Sequence, residues 1–221
     1  MSKIIIKNNG TIDKYIGDSI MAYWNAPFDI DNHADKAVIS ALEQLEELKK
    51  LNIILKDLDQ PQINIGIGIT TGIATVGEIG SIGRSDYTII GDNVNLGSRI
   101  ESLCKFYGCN LIISENTKEK LKENYIFRYL DFVQVKGKEI PIKLWEVISL
   151  ENDYKNINNE LEKYSQAIKE FENKELEKAL AIFHKLNTEY EKKKIYDIYI
   201  HRCEEFIKNK NFSLLHKHEF K

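Results

Sequence analysis

In the stretch GTIDKYIGDSIMAYWNAP, residues 10–27, one carboxylate and one ammonium group stand where packing alone gives them little to do. Gly17-Asp18 separates two short apolar runs, a pattern that predicts a hairpin with Asp18 at its tip. An aspartate so placed is a candidate ligand for a divalent cation, and equally a turn residue that satisfies its own backbone. A catalytic divalent ion is usually held by more than one carboxylate, so Asp18 raises the question of a partner. Strand alternation puts Lys14 on one face with Ile12 and Ile16, where it either snorkels from the sheet rim or meets a ligand. Asn95 and Arg99 are four apart near the start of a helical pattern and share a face, which on its own reads equally as an exposed polar stripe. Lys136 falls at the tip of a second expected hairpin, the ordinary place for a solvated lysine. His33 and His201 show no partner pattern and read as surface residues.

These groups need a frame of strands and helices. DNHADKAVISALEQLEELKKLNIIL carries Ala37, Ile39, Leu42, Leu45 and Leu48 at helical spacing, with Asp31 as the expected cap. INIGIGITTG, β-branched and punctuated by glycine, reads as a central strand closing on a tight turn, and GRSDYTII as another strand. GDNVNLGSRIESLCKFYG runs from a capping aspartate, Asp92, to a stop at Gly108, which predicts a helix. NLIIS is a brief strand, SENTKEKLKEN a helix opened by Ser114, and residues 125–150 a hairpin closing at Lys136-Gly137-Lys138. Strands alternating with helices predict an α/β or α+β domain with helices packed on a sheet over residues 1–149.

The character changes near Leu150. Residues 150–161 are polar and charged and read as a linker. Residues 162–209 place Ala167, Phe171, Leu176, Ala179, Phe183 and Leu186, then Tyr196, Tyr199, Cys203 and Phe206, at helical spacing, which predicts a small all-α helical hairpin. It is similar to one tetratricopeptide unit; such a unit cannot bury its face alone, so it is expected to dock on the first domain or on a partner. Residues 210–221 read as a polar, frayed tail.

Bulk composition excludes several classes. The 221 residues are 43% hydrophobic and 29% charged with a net charge of −3, which describes a globular chain and gives no electrostatic case for nucleic acid or an anionic membrane. The longest uncharged stretch, INIGIGITTGIATVG, is glycine-rich and shorter than the roughly 20 residues needed to span a bilayer. Cys104, Cys109 and Cys203 are odd in number and lack metal-ligand spacing, which fits a reducing cytoplasmic compartment.

Four stretches taken together, DKYIGDSIMAYW, GIGITTGIATVGEIG, YTIIGDNVNLGSRIE and VKGK, resemble the class III adenylate and guanylate cyclases in their order and approximate spacing. The resemblance implies a ferredoxin-like α+β sheet with helices on it, and conversion of a nucleoside triphosphate to a 3′,5′-cyclic nucleotide plus pyrophosphate. It implies two Mg²⁺ or Mn²⁺ ions and a head-to-tail dimer in which both chains build each site. By the same resemblance Asp18 is a metal ligand, Lys14 and Thr88 contact the base, Asn95 orients the ribose, Arg99 steadies charge on the transferring phosphate, and Lys136 holds the terminal phosphates. A lysine donating to N1 of adenine and a threonine accepting from its exocyclic amine favour ATP; guanylate cyclase and a catalytically incomplete interaction module stay as alternatives. A diguanylate cyclase would show a GGDEF-like hairpin, whereas this one reads YIGDS.

The family's first metal aspartate lies on an opening strand ahead of the hairpin, and no carboxylate of this sequence matches it. Two copies of the chain are therefore expected to lack a competent metal site. An intact cyclase chain as partner is expected to complete one site, with this chain as the nucleotide-binding half. An opening strand missing from the sheet is also expected to leave unpaired backbone on its neighbours.

Overall fold

A computed structural model describes residues 1–81, 83–135, 140–151 and 158–218. Helix α1 (Ser2–Lys7) leads into an antiparallel hairpin of β1 (Thr11–Ile16) and β2 (Ser19–Tyr23). Ile16 pairs with Ser19, so Gly17-Asp18 is a two-residue loop, and Gly17 takes the positive φ of +63° that such a loop demands. Helix α2 (His33–Asp57) starts later than the sequence suggests. Its N-cap is Asn32 rather than Asp31, and a backbone turn from His33 N to Ile30 O, 3.1 Å, closes the entry without a side-chain cap.

The main sheet has five strands in the order β3 (Ile67–Ile69), β6 (Leu111–Ser114), β8 (Ile142–Leu150), β7 (Tyr125–Val135) and β9 (Leu215–His218). Strand β3 was expected to be central; it lies at the sheet edge, is three residues long, and pairs in parallel with β6. The β1–β2 hairpin forms a separate two-stranded sheet, as do β4 (Thr75–Ser81) and β5 (Arg84–Ile90). Between β5 and β6 runs helix α3 (Asp92–Tyr107), closed by Gly108 at φ +72°. Its N-cap is Gly91, directly before the expected Asp92. Helix α4 (Glu115–Lys118) is capped as expected by Ser114, whose hydroxyl accepts from Thr117 N, but it stops after four residues.

Strand β6 shows why a run of apolar residues becomes a doubly covered strand. Leu111 and Ile113 point to one face and pack with Val38 and Ala41 of α2 and with Val147. Ile112 points to the other face and joins Leu96, Ile100, Leu103 and Tyr107 of α3. The alternating glycines before and in β3 do related work. A Cβ on Gly68 would meet Glu101 N at 2.4 Å and Gly97 O at 2.5 Å, so α3 lies directly on bare strand backbone.

The C-terminal region consists of three helices where a hairpin was expected: α5 (Asn158–Glu172), α6 (Leu176–Glu189) and α7 (Lys194–Asn209). The apolar periodicity runs on from Phe171 to Leu176 because α5 and α6 feed one core, but Lys174 at φ +67° breaks the backbone between them. The expected docking on the first domain is what the structure shows. Tyr164, Phe171, Phe183, Tyr196 and Tyr199 are buried in the same core as α3, Leu130 and Leu144. Polar ties accompany that burial: Tyr164 Oη donates to Tyr129 O (2.7 Å) and Tyr199 Oη to Leu130 O (2.9 Å). Arg128 on β7 pairs with Glu146 on β8 and with Glu160 on α5, and Glu160 also accepts from Tyr196 and Lys193.

The polar tail is the largest departure from expectation. Residues 215–218 form β9, parallel to β7 with Val133 opposite His216, and His218 is buried. Four residues with one leucine carry no strand signal; what holds them is a set of buried side-chain partners on β7, α3 and α7. Linker residues 152–157 and the expected turn at Lys136 lie outside the described residues.

Candidate functional site

The first hairpin is irregular at the point that matters. Ile12 pairs with Ala22 and Lys14 with Met21, so Asp13 is an extra residue, a bulge in β1. A regular strand would point Asp13 and Lys14 to opposite faces; here the Lys14 amine lies 3.4 Å from Asp13 Oδ2. The expected shared face of Lys14 with Ile12 is broken by the bulge, while the regular register from Lys14 to Ile16 keeps those two on one face. The Asp13 side chain is fully buried, and Thr88 on β5 donates its hydroxyl proton to the same oxygen at 3.0 Å. Ile89 N donates to the other oxygen at 3.1 Å. Lys14 and Thr88, 74 positions apart in the numbering, thus converge on one carboxylate. Asp13 was missed in the sequence because alternation hid its direction and nothing local distinguishes it from a surface aspartate.

Burial is the first cause that raises the Tyr23 phenol above its ordinary pKa, followed by the charges of Tyr87 and Asp13. Asp18 sits exposed on the Gly17-Asp18 turn, as expected. Strand β5 passes through Gly91 straight into α3, whose first turn is set by Val94 N and Asn95 N donating to Gly91 O. Asn95 is exposed and Arg99, one turn on, is half-buried and engaged. Lys136 falls outside the described residues. A cleft between α2 and the β6–β8 pair, lined by Leu42, Leu45, Asn110 and Val147, includes none of these groups.

The chemistry open to this arrangement is recognition on an exposed surface. Lys14 offers only donors, the largely buried Thr88 has given its proton to Asp13 and can only accept from a further group, and an amide and a guanidinium follow on the adjoining helix. Asp18 can supply one oxygen ligand to a hard divalent cation, and its exposed turn leaves room for ligands from elsewhere. Apolar groups flank these residues without cover: Tyr15 and Ile16 on β1 are 61% and 59% exposed, and Tyr87 on β5 is 57% exposed.

Residues 1–149 match the family model described as the adenylate and guanylate cyclase catalytic domain. An adenylate cyclase of Anabaena cylindrica is 40% identical over 154 residues, covering 66% of this chain and 30% of the relative. The terminal-differentiation specific adenylate cyclase of Dictyostelium discoideum is 32% identical over 209 residues, 92% of this chain and 10% of the relative. That second match extends beyond residue 149 into the C-terminal helices. Among solved structures, the adenylyl cyclase CyaB from P. aeruginosa superposes with a TM-score of 0.62 at 33% identity, covering 70% of this chain and 79% of that one. A guanylyl cyclase superposes with a TM-score of 0.60, also at 33% identity, covering 69% and 77%. The chain spans less than a third of the length of these two curated relatives.

Proposed function

This chain belongs to the family of adenylate and guanylate cyclase catalytic domains, and we propose that within it the chain is the nucleotide-recognising half of an adenylate cyclase site. The observation that supports ATP is the proton on Thr88. Thr88 donates its hydroxyl proton to Asp13 Oδ2 at 3.0 Å, so toward a base it acts only as an acceptor. Adenine presents a donor amine at C6 beside an acceptor at N1; guanine presents the reverse. Lys14 donating to N1 and Thr88 accepting from the amine read adenine, and the same pair meets guanine with donor against donor and acceptor against acceptor.

The reaction is attack of the ribose 3′-hydroxyl on the α-phosphorus in line with departing pyrophosphate, which calls for positioning and charge neutralisation rather than covalent help. Asn95 holds the ribose in line, and Arg99 takes up charge developing on the transferring phosphate. Lys136 pairs with the terminal phosphates. Divalent ions held by the partner's carboxylates would supply further neutralisation and a lowered pKa at the attacking oxygen, while Asp18 of this chain would belong to the opposite, incomplete site. A partner chain carrying both metal carboxylates meets this surface head to tail, and its approach covers Tyr15, Ile16 and Tyr87.

The test mixes this chain with an intact cyclase chain whose own base-binding lysine has been removed. ATP-dependent formation of cyclic AMP is expected, with losses of about 10²–10³-fold when Arg99→Ala is used in this chain. In the same mixture Asp13→Asn frees the Thr88 proton and is expected to narrow the ATP-over-GTP preference by about tenfold or more, one lost polar match. A mixture without cyclic nucleotide overturns the complementation; a mixture that prefers GTP overturns the reading of Lys14 and Thr88.

A further inference from the structure

The C-terminal strand brings two imidazoles against a carboxylate. His216 and His218 are two apart on β9 and so share a face, their ring centroids 4.1 Å apart. On that face lies Asp131 of β7, and one donor atom from each of the three residues falls within 4.8 Å of the others. His216 Nδ1 is 2.8 Å from Asp131 Oδ2, His218 Nε2 is 2.9 Å from the Tyr107 hydroxyl, and that hydroxyl donates 3.1 Å to the same Oδ2. We propose that Asp131, His216 and His218 form a binding site for a divalent first-row transition ion such as Zn²⁺, with the Tyr107 oxygen beside it.

The ligand chemistry fits such an ion. Two imidazole nitrogens and one carboxylate oxygen form a set that borderline metals prefer and that Mg²⁺ does not. The support around the ligands is that of a built site. Asp131 Oδ1 is held by Arg202 Nη1 at 2.8 Å and by Phe132 N at 2.9 Å, which leaves Oδ2 turned to the imidazoles. Arg202 also donates to Leu214 O at 3.0 Å and so fixes the chain just before β9. Coordination through His216 Nδ1 uses the neutral tautomer with its proton on Nε2. The His216 side chain is 27% exposed, which gives the ion a way in. Arg202 already neutralises much of the Asp131 charge, so the imidazoles carry most of the affinity and their removal is the informative change.

The experiment uses the full, untagged chain stripped with a chelator. Titration with Zn²⁺ is expected to give one site per chain, and Co²⁺ a visible d–d spectrum of a nitrogen–oxygen site. His216→Ala, at the partly exposed position, is expected to keep the circular dichroism of the parent and to weaken Zn²⁺ binding by about 10–100-fold. His218→Ala should do the same, while His184→Ala and His201→Ala, at exposed helix positions, leave the affinity unchanged. An absence of Zn²⁺ binding up to about 100-fold excess, or binding that survives loss of both His216 and His218, overturns the proposal. The outcome is independent of cyclase activity.

Discussion

The two halves of the molecule are stabilised in opposite ways. Lys14 and Thr88, proposed to face a nucleotide, ride on two-stranded hairpins that leave Tyr15, Ile16 and Tyr87 uncovered. The C-terminal half closes on itself: β7 and β8 are covered by α5–α7, and its charged groups are paired inside, Arg128 with Glu146 and Glu160, Arg202 with Asp131. Isolated two-stranded ribbons are marginal in water, so the recognition surface depends on what it meets, whereas the helical region is the anchor. The proposed nucleotide contacts fall in the less stable half, as binding surfaces often do.

Breaking the anchor should have the largest effect on stability. Arg128→Ala takes the cation from Glu146 and one of three partners from buried Glu160, and a loss of about 3–5 kcal/mol is expected in denaturant unfolding. Acidification gives a smaller effect with a definite sign. Burial raises the Glu160 pKa, but hydrogen bonds from Tyr196 and Lys193 and the charge of Arg128 outweigh it and hold the carboxyl below its ordinary value. Its stabilisation is complete above the unfolded value of about 4.3 and is lost as pH falls through the folded one. Glu146, raised by burial against the pull of Arg128, shifts the opposite way and offsets part of that loss. The stability gap between the parent and Glu160→Gln, roughly 1–3 kcal/mol near neutrality, should therefore shrink below about pH 4.3 in a pH series of unfolding curves. A gap independent of pH would remove Glu160 from the account. The smallest change in stability is expected at the other half: Ile16→Asp should move the unfolding free energy by no more than about 0.5 kcal/mol while abolishing complementation in the mixing assay. A large loss of stability there would show that the hairpin tip is structural.

Local chemistry made part of this legible in advance. The Gly17-Asp18 turn, the Ser114 cap and the Gly108 stop each depend on a few adjacent residues, and each is where the pattern puts it. Period-two reasoning failed at Asp13 because a bulge reverses the alternation, and the reversal is what lets Lys14 and Thr88 share a carboxylate. The register of β9 could not be read because its partner strand lies more than 80 residues earlier and its hold is the Asp131 cluster rather than any run of apolar residues. The pair His216 and His218 was itself visible as a short histidine-rich tract. The edge position of β3 turns on which strands are present to pair, which its own residues do not encode.

The passage of β5 through Gly91 into α3 has a mechanical consequence. Thr88 and Asn95 stand on either side of Gly91 in one short stretch of chain, and α3 is seated directly on the glycine backbone of β3. On the proposed reading, a base that fits badly at Thr88 would displace Asn95 as well, so base preference and turnover would change together under substitution at Gly91.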